Sequence, residues 1–241
     1  MKITFLGTKG YIESRTKHHY RHTSTLITYR HKKIMIDCGL DWLKKVWTIK
    51  PDAIILTHAH PDHAWGLKEG SPCPVYATRT TWKLIKDYLI LENQRKTIYC
   101  SKPLTIFGIT FQAIKNEHSL IAPGVCYKIS NRKTIVFYAG DVVYIPNTKR
   151  ALKGSQLYIG DGSTITQPLV RKKDGHIYGH ATIGTQLTWC KKAKVPWAIF
   201  THCGSQIVDH DGRTVAAKIR ELGKKRGVKA EIAHDGMTIT V

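Results

Sequence analysis

Short runs of hydrophobic residues recur along the chain, and most have the length and β-branched content that strands require. The segment KISNRKTIVF joins two such runs through Asn131 and Arg132, and this arrangement predicts a hairpin. The predicted strands cover residues 1–7, 24–29, 33–38, 53–58, 109–115, 124–130, 133–139, 156–160, 197–202, 228–233 and 237–241.

Helical periodicity separates some of these runs. Residues 79–91, 182–193 and 213–226 each carry apolar side chains at helical spacing, and Thr182 is a candidate N-cap for the second segment. The early strands follow one another as hairpins, whereas the later ones alternate with helices. This order predicts an α/β fold with mixed sheets and helices on the outside, and no repeat or linker divides the chain.

The cysteines and the hydropathy of the chain indicate its cellular location. Six cysteines are scattered without a CxxC pair, which predicts reduced thiols and a cytoplasmic location. No apolar run approaches the roughly 18–20 residues of a membrane span. The first residues, MKITFLG, predict a strand rather than a signal peptide. We therefore expect no membrane partner.

Charge is the unusual property of the composition. Lys and Arg number 38 against 17 Asp and Glu, which gives a formal net charge of +21. A surface of this kind attracts polyanions, so the charge favours nucleic acid or another phosphate-rich partner. The alternative is that the charge serves solubility alone.

Candidate chemistry concentrates in AIILTHAHPDHAWGL, residues 53–67. A strand directs alternate side chains to one side, so His58 and His60 leave it together. Pro61 then forces a turn that brings Asp62 and His63 toward the same space. Imidazole and carboxylate groups are good ligands for zinc, iron or manganese, so this segment predicts part of a metal site.

Three further ligand candidates follow apolar, strand-like runs elsewhere in the chain. They are His118 in KNEHSL, Asp141 in TIVFYAGDVV and His202 in WAIFTHCGS. The ends of strands are where an α/β sheet collects functional groups.

The order HxHxDH, His, Asp, His resembles that of the metallo-β-lactamase-fold hydrolases, and the match spans nearly the whole chain. FLGTKG is similar to the strand and Gly turn that open the family, and AHDGMTITV to the segment that ends many members. Asp37 in IMIDCG matches an early Asp that orients the histidine loop in the family. The resemblance implies a four-layer αββα sandwich with mixed sheets, formed as one domain by residues 1–241.

Carried over by position, the resemblance implies two divalent metal ions, with zinc favoured over manganese or iron. His58, His60 and His118 would hold one ion, Asp62, His63 and His202 the other, and Asp141 would bridge them. Several true β-lactamases have a Cys where this chain has Asp141, so the pattern is more similar to that of dinuclear phosphodiesterases, nucleases, thioesterases and lactonases. Two ions about 3.5–4 Å apart would yield a bridging hydroxide near neutral pH, which Asp62 would orient.

Three features resemble the ribonuclease Z-like and phosphodiesterase branch of the family. Arg21 in RHTSTLI would bind phosphate, although it could equally belong to a mobile basic loop. His180 in YGHATIGTQL would give a proton to the leaving oxygen, and Asp161 in LYIGDGST would orient it. The alternative for His180 is an ordinary residue at a helix start that Thr182 already caps.

The spacing of the motifs leaves no room for accessory elements. His118 and Asp141 are only 23 positions apart, and Asp141 and His202 only 61, so we expect neither a tRNA-binding arm nor a cap domain. His234 is ambiguous, because a late His joins the site in cap-containing nucleases but not in the ribonuclease Z-like branch. That branch often dimerises, which makes a homodimer one expectation.

The sequence therefore predicts a dinuclear metal-dependent phosphodiesterase or nuclease that acts on RNA or single-stranded DNA. Three alternatives stay open: a phosphodiesterase for cyclic or mononucleotides, a lactonase or thioesterase, and a nucleic-acid-binding module without catalysis.

Overall fold

Two seven-stranded mixed sheets form the centre of the structure, a computed structural model that describes residues 1–241. The strands are β1 Lys2–Gly7, β2 Ser24–Tyr29, β3 Lys32–Ile36, β4 Ala53–Ile55, β5 Val75–Thr78, β6 Arg95–Ile98, β7 Leu104–Ile106, β8 Ile109–Lys115, β9 Val125–Ser130, β10 Ile135–Tyr138, β11 Leu157–Asp161, β12 Leu169–Lys173, β13 His176–His180, β14 Trp197–Thr201, β15 Lys229–Ile232 and β16 Thr238–Thr240. The first sheet has the order β16-β1-β2-β3-β4-β5-β6, and the second the order β15-β14-β11-β10-β9-β8-β7. Strands β12 and β13 pair only with each other.

Helices are short, and they flank the two sheets. They are α1 Val46–Ile49, α2 Pro61–Ala64, α3 Arg79–Leu84, α4 Thr148–Leu152, α5 Ile183–Ala193, α6 Ser205–Val208 and α7 Gly212–Lys224, with 3-10 turns at Leu40–Trp42, Trp65–Leu67 and Glu92–Gln94. None is long and apolar enough to cross a membrane.

Three clusters of buried hydrophobic residues define four layers. The middle cluster lies between the sheets and joins Phe5 of the first sheet to Phe111 and Tyr127 of the second. A second cluster packs α5 and α7 against the second sheet, and a third packs the segments around Trp42 and Ile85 against the first. Each sheet is therefore apolar on both faces, which confirms the predicted αββα architecture with mixed sheets.

Every strand predicted from the hydrophobic runs is present, although most are one to three residues shorter. The β9–β10 hairpin turns at Asn131 as predicted, with Ser130 opposite Ile135. Strands β5, β6, β7, β12 and β13 were not predicted. Their sequences are short or polar, such as RKTI in β6 and LVRKK in β12, and therefore lack the apolar run that marks a buried strand.

The helix predicted over residues 79–91 is wrong beyond Leu84, where α3 ends. The guanidinium of Arg95 donates hydrogen bonds to the carbonyl oxygens of Lys86 and Tyr88 at 3.0 and 2.9 Å. These carbonyls are thus satisfied by a distant side chain, which the local periodicity cannot reveal. The helices at 182–193 and 213–226 are present, and Thr182 caps α5 by accepting a hydrogen bond from the Thr185 amide.

Strand directions decide where the functional side chains lie. In the first sheet β3 and β4 run parallel, and in the second β10, β11 and β14 run parallel. Strand β8 has the same direction as β10, because both are antiparallel to β9. The carboxyl ends of all six strands therefore reach one edge of the sandwich, where polar loops from both sheets meet.

Candidate metal centre

Three histidine rings meet at the shared edge of the sheets. His58 and His60 follow β4, and His118 follows β8. His58 Nε2 lies 3.0 Å from His60 Nδ1, and His118 Nε2 lies 3.2 Å from the same atom. We call these three residues the neutral cluster.

Hydrogen bonds on the far sides of the rings fix which nitrogens carry protons. His118 Nδ1 donates to the carbonyl oxygen of Gly179 at 2.9 Å. The Thr57 hydroxyl donates to Asp37 at 2.8 Å and is therefore free to accept from His58 Nδ1, which lies 2.9 Å away. The Nε2 atoms of both rings thus turn lone pairs toward the centre of the cluster, as ligands of a cation do.

The second group of side chains contains Asp62, His63 and His202, and we call it the charged cluster. His202 follows β14, whereas the other two lie in α2. His202 Nε2 lies 2.9 Å from Asp62 Oδ2, and His63 Nε2 lies 3.4 Å from the same oxygen. Asp37 accepts a hydrogen bond from His63 Nδ1 at 2.8 Å, which again directs Nε2 inward.

Asp141 stands between the two clusters. Its carboxylate lies 3.4 Å from His118 Nε2 in the neutral cluster, and 3.2 and 3.3 Å from His63 Nε2 and His202 Nε2 in the charged cluster. Ligand atoms of each cluster together with Asp141 fall within 4.8 Å of one another.

The donor set fits a divalent metal. His63 Nε2 and Asp141 Oδ1 are buried 3.2 Å apart, and neither atom forms a hydrogen bond with any other group. Buried polar atoms need partners, and a cation between these two would supply one to each. Imidazole and carboxylate donors are the ligands of zinc, manganese and iron sites, so the residues present suit such an ion.

The two clusters differ in the pKa values of their histidines. Burial lowers the pKa of His58 well below its usual value and that of His118 to about 4. Desolvation disfavours the charged imidazolium, so these rings stay neutral and keep their lone pairs available.

Carboxylates reverse this effect in the charged cluster. Burial opposes protonation there too, but Asp141 and its neighbours raise the pKa of His202 to about 10 and that of His63 well above its usual value. The same ion pairs hold the pKa values of Asp62 and Asp141 well below the usual range, despite their burial. The second cluster is therefore a set of buried opposite charges.

Unusual backbone conformations support two of these residues. Asp37 and His202 have φ values of 60° and 55°, in the left-handed region that few residues other than glycine adopt. Gly39 is required next to the histidine loop, because a Cβ at this position would overlap the carbonyl oxygen of Asp62.

A His–Asp pair adjoins the charged cluster. Asp161 ends β11 and is fully buried, and its Oδ2 lies 2.7 Å from Nδ1 of His180. Ser163 lies between this pair and the cluster, with its hydroxyl 3.1 Å from His180 Nδ1 and 2.8 Å from His202 Nδ1. Although burial opposes it, the Asp161 carboxylate raises the pKa of His180.

Members of both clusters, Asp141 and His180 open onto one cavity of about 440 Å³. Its polar lining includes His60, Asp62, His118, Asp141, Ser163, His180 and His202. His58, His63 and Asp161 are buried and do not line the cavity. The structure thus brings together the seven predicted ligands and the Asp161–His180 pair, with Asp37 directly behind them.

Two predicted residues lie elsewhere. The guanidinium of Arg21 lies over the ring of Trp42, 5.3 Å from its centroid, and Arg21 does not line the cavity. Its predicted contact with a phosphate stays a prediction. His234 is exposed beside His18 and joins neither cluster.

Sequence reasoning missed the supporting residues Thr57, Ser163 and Gln186. The Gln186 side chain accepts a hydrogen bond from the Asp161 amide and donates one to the Asp161 carbonyl, at 2.9 and 2.7 Å. Polar side chains of these types are common, and only their burial at the site distinguishes them. Gln186 had a detectable signal, because it falls on the apolar side of α5.

Comparison with known proteins decides the family. A family model described as "Beta-lactamase superfamily domain" matches residues 32–203, well over half of the chain. The chain belongs to this family. The β-lactamase superfamily match starts at β3 and ends just after His202, so it contains every candidate ligand. No curated protein sequence matches the chain significantly.

Solved structures with this fold are similar over nearly the whole chain. The metallo-β-lactamase fold protein YhfI from Bacillus subtilis is 21% identical, with a TM-score of 0.77 and coverage of 99% of this chain and 98% of the other. A diphosphatase from the PhnP family is 19% identical, with a TM-score of 0.73 and coverage of 100% and 97%. Human tRNase Z, short form, is 15% identical, with a TM-score of 0.68 and coverage of 100% and 99%. At these identities the likeness establishes the fold, and the chain is a metal-dependent hydrolase by family.

Proposed function

We propose that this protein is a metal-dependent phosphodiesterase that cleaves RNA or single-stranded DNA. The observation that carries the proposal is the Asp161–His180 pair, whose His180 ring lines the same cavity as residues of both clusters. A phosphodiester leaving group with a high pKa needs a proton as its bond breaks, and this pair is built to give one.

The two clusters would hold two divalent ions, with zinc the best match to their imidazole and carboxylate donors. Such ions supply a bound water of lowered pKa and neutralise charge on the phosphate oxygens. Asp141 lies where one carboxylate can serve both ions, and Asp62 contributes an oxygen that faces the cavity.

His180 would act as the general acid. Its Nδ1 is held by Asp161, which leaves Nε2 as the ring nitrogen available to a substrate. The raised pKa of His180 favours the protonated ring at neutral pH, the form that a proton donor requires. Asp161 fixes the orientation of the ring and balances its charge.

Charge supports a polyanionic substrate. A net charge of +21 attracts phosphate chains, whereas a lactonase or a thioesterase has no use for it. Two proteins with the same fold are named as a diphosphatase and a tRNase, which is in keeping with phosphate chemistry.

A substrate panel tests the proposal. Metal-loaded protein is given labelled RNA, single- and double-stranded DNA, an aryl phosphodiester, a lactone and a thioester. We expect cleavage of the aryl phosphodiester and of RNA or single-stranded DNA. Turnover of the lactone or thioester alone would refute the phosphodiesterase assignment.

Cyclic or mononucleotide diesters are the second candidate, because a cavity of about 440 Å³ can enclose one nucleotide. A kcat/KM that is higher for a cyclic nucleotide than for an oligonucleotide would favour it.

A further inference from the structure

The hairpin formed by β12 and β13, residues 169–180, is an unexplained projection beside the site. It pairs with neither large sheet, and every residue of β12 is exposed. Its base is fixed to the neutral cluster, because the amide of Gly179 donates to the His118 carbonyl at 2.8 Å and the Gly179 carbonyl accepts from His118 Nδ1. The hairpin therefore starts at the site and leads away from it.

Its two strands place cations opposite aromatic rings. The register pairs Leu169 with His180, Arg171 with Tyr178, and Lys173 with His176. Alternate pairs follow one another at about 6.8 Å along the strands. Arg171 and Tyr178 share a shallow cavity of about 390 Å³ with Leu169 and His180, so the first cation–aromatic pair adjoins the proposed proton donor.

The cations of this hairpin form no ion pair, and Asp174 in its turn offsets only one of the three positive charges. Arg171, Lys172 and Lys173 are consecutive and exposed, and the lysine and arginine ion pairs of the chain all lie elsewhere. Free cations interleaved with aromatic rings are how proteins bind single-stranded nucleic acid, through phosphate contacts and base stacking.

We infer that the β12–β13 hairpin binds the segment of a single-stranded nucleic acid that lies on the leaving-group side of the cut. The leaving-group side is assigned from the position of His180, the proposed proton donor to the leaving oxygen. His180 ends β13 and lines the same shallow cavity as Arg171. The assignment to the leaving-group side rests on the proposed function, because it depends on His180 as the proton donor. The hairpin would then be the surface that holds a polymer next to the site.

The test compares Arg171→Gln/Lys173→Gln with Lys191→Gln/Lys192→Gln, which removes the same charge from the exposed end of α5. Fluorescence anisotropy measures binding of a labelled single-stranded oligonucleotide to each metal-loaded protein at several salt concentrations. We expect the hairpin variant to bind about tenfold more weakly, with a salt slope lower by about 1.4 for two lost phosphate contacts. The α5 variant should stay near the wild type, and Tyr178→Leu should weaken binding about tenfold at unchanged salt slope.

A second experiment tests on which side of the cleaved bond the hairpin binds. Oligonucleotides with one cleavable phosphodiester are extended on either side of it, and the KM ratio of the long to the short substrate is compared. The hairpin variant should raise this ratio for one direction of extension only, whereas equal effects in both directions would overturn the leaving-side assignment. Equal binding losses in the hairpin and α5 variants would overturn the surface itself. Hairpin-dependent binding without cleavage of any phosphodiester would sustain the surface and refute the proposed function.

Discussion

The neutral and charged clusters share an edge of the sandwich and the Asp141 carboxylate between them, yet they differ in charge. His58, His60 and His118 are kept neutral by burial and face outward to hydroxyl and carbonyl groups. His63 and His202 face outward to the carboxylates Asp37 and Asp161 and inward to Asp62 and Asp141.

This difference indicates a division of labour. Two carboxylates attract a cation more strongly than one, so the charged cluster should hold its ion more tightly once the ion has displaced the protons of His63 and His202. The neutral cluster, with Asp141 as its sole carboxylate, leaves more of the positive charge on its ion to act on a substrate. Four predictions test this comparison.

Asp141→Asn should have the largest effect, because it removes the one carboxylate that both clusters share. We expect both ions to be lost and the rate to fall about a thousandfold or more. Metal analysis and initial rates measure the outcome, with Asp209→Asn, an exposed aspartate, as the control. Retention of both ions at wild-type affinity would contradict the bridging role.

His180→Ala should come next, and it should leave both clusters intact. Loss of a general acid lowers the rate about 10²–10⁴-fold on substrates with poor leaving groups. An aryl phosphodiester with a good leaving group needs no proton and should be affected far less. An equal loss on both substrates, or a change in metal content, would exclude His180 as the acid.

Substitution of the outer hydrogen-bond partners should weaken metal binding in one cluster at a time. Asp37→Asn weakens the support of His63, and Thr57→Val that of His58, since each outer partner orients one ring. We expect metal affinity to fall about 10–100-fold, in the charged cluster for Asp37→Asn and in the neutral cluster for Thr57→Val. Chelator titration with metal counting distinguishes the two. Release of the same ion by both substitutions would contradict the assignment of Asp37 and Thr57 to different clusters.

His19 provides the smallest test, as a buried histidine outside both clusters. Burial, with help from His18 and His234, lowers its pKa to about 4. The unfolded chain therefore binds a proton more readily, so the contribution of His19 to stability is present above pH 6.5 and is lost as the pH falls toward 4. Relative to His19→Gln, the wild type should lose roughly 1–3 kcal/mol over this window in urea unfolding. Parallel pH profiles of the free energy of unfolding in the wild type and His19→Gln would show that burial does not lower the pKa of His19.

The sequence predicted that the seven candidate ligands would meet, because most of them follow an apolar strand and parallel strands bring their carboxyl ends to one edge. HxHxDH also concentrates four side chains of ligand type in six positions, which is typical of a metal site. The positions of Arg21 and His234 could not be predicted, since a stacked guanidinium and an exposed imidazole depend on partners distant in the chain. The β12–β13 hairpin was missed for a related reason: it is polar, and periodicity detects only strands that bury a face.

The contact between His202 and Asp62 spans 140 positions of the chain and connects the two sheets. An ion held by both residues would act as a crosslink between the halves of the sandwich. An ion that binds only the folded chain raises the free energy of unfolding, by about 2.7 kcal/mol at a hundredfold excess over its Kd. Metal supply would then control how long each molecule survives proteolysis in addition to how fast it turns over substrate.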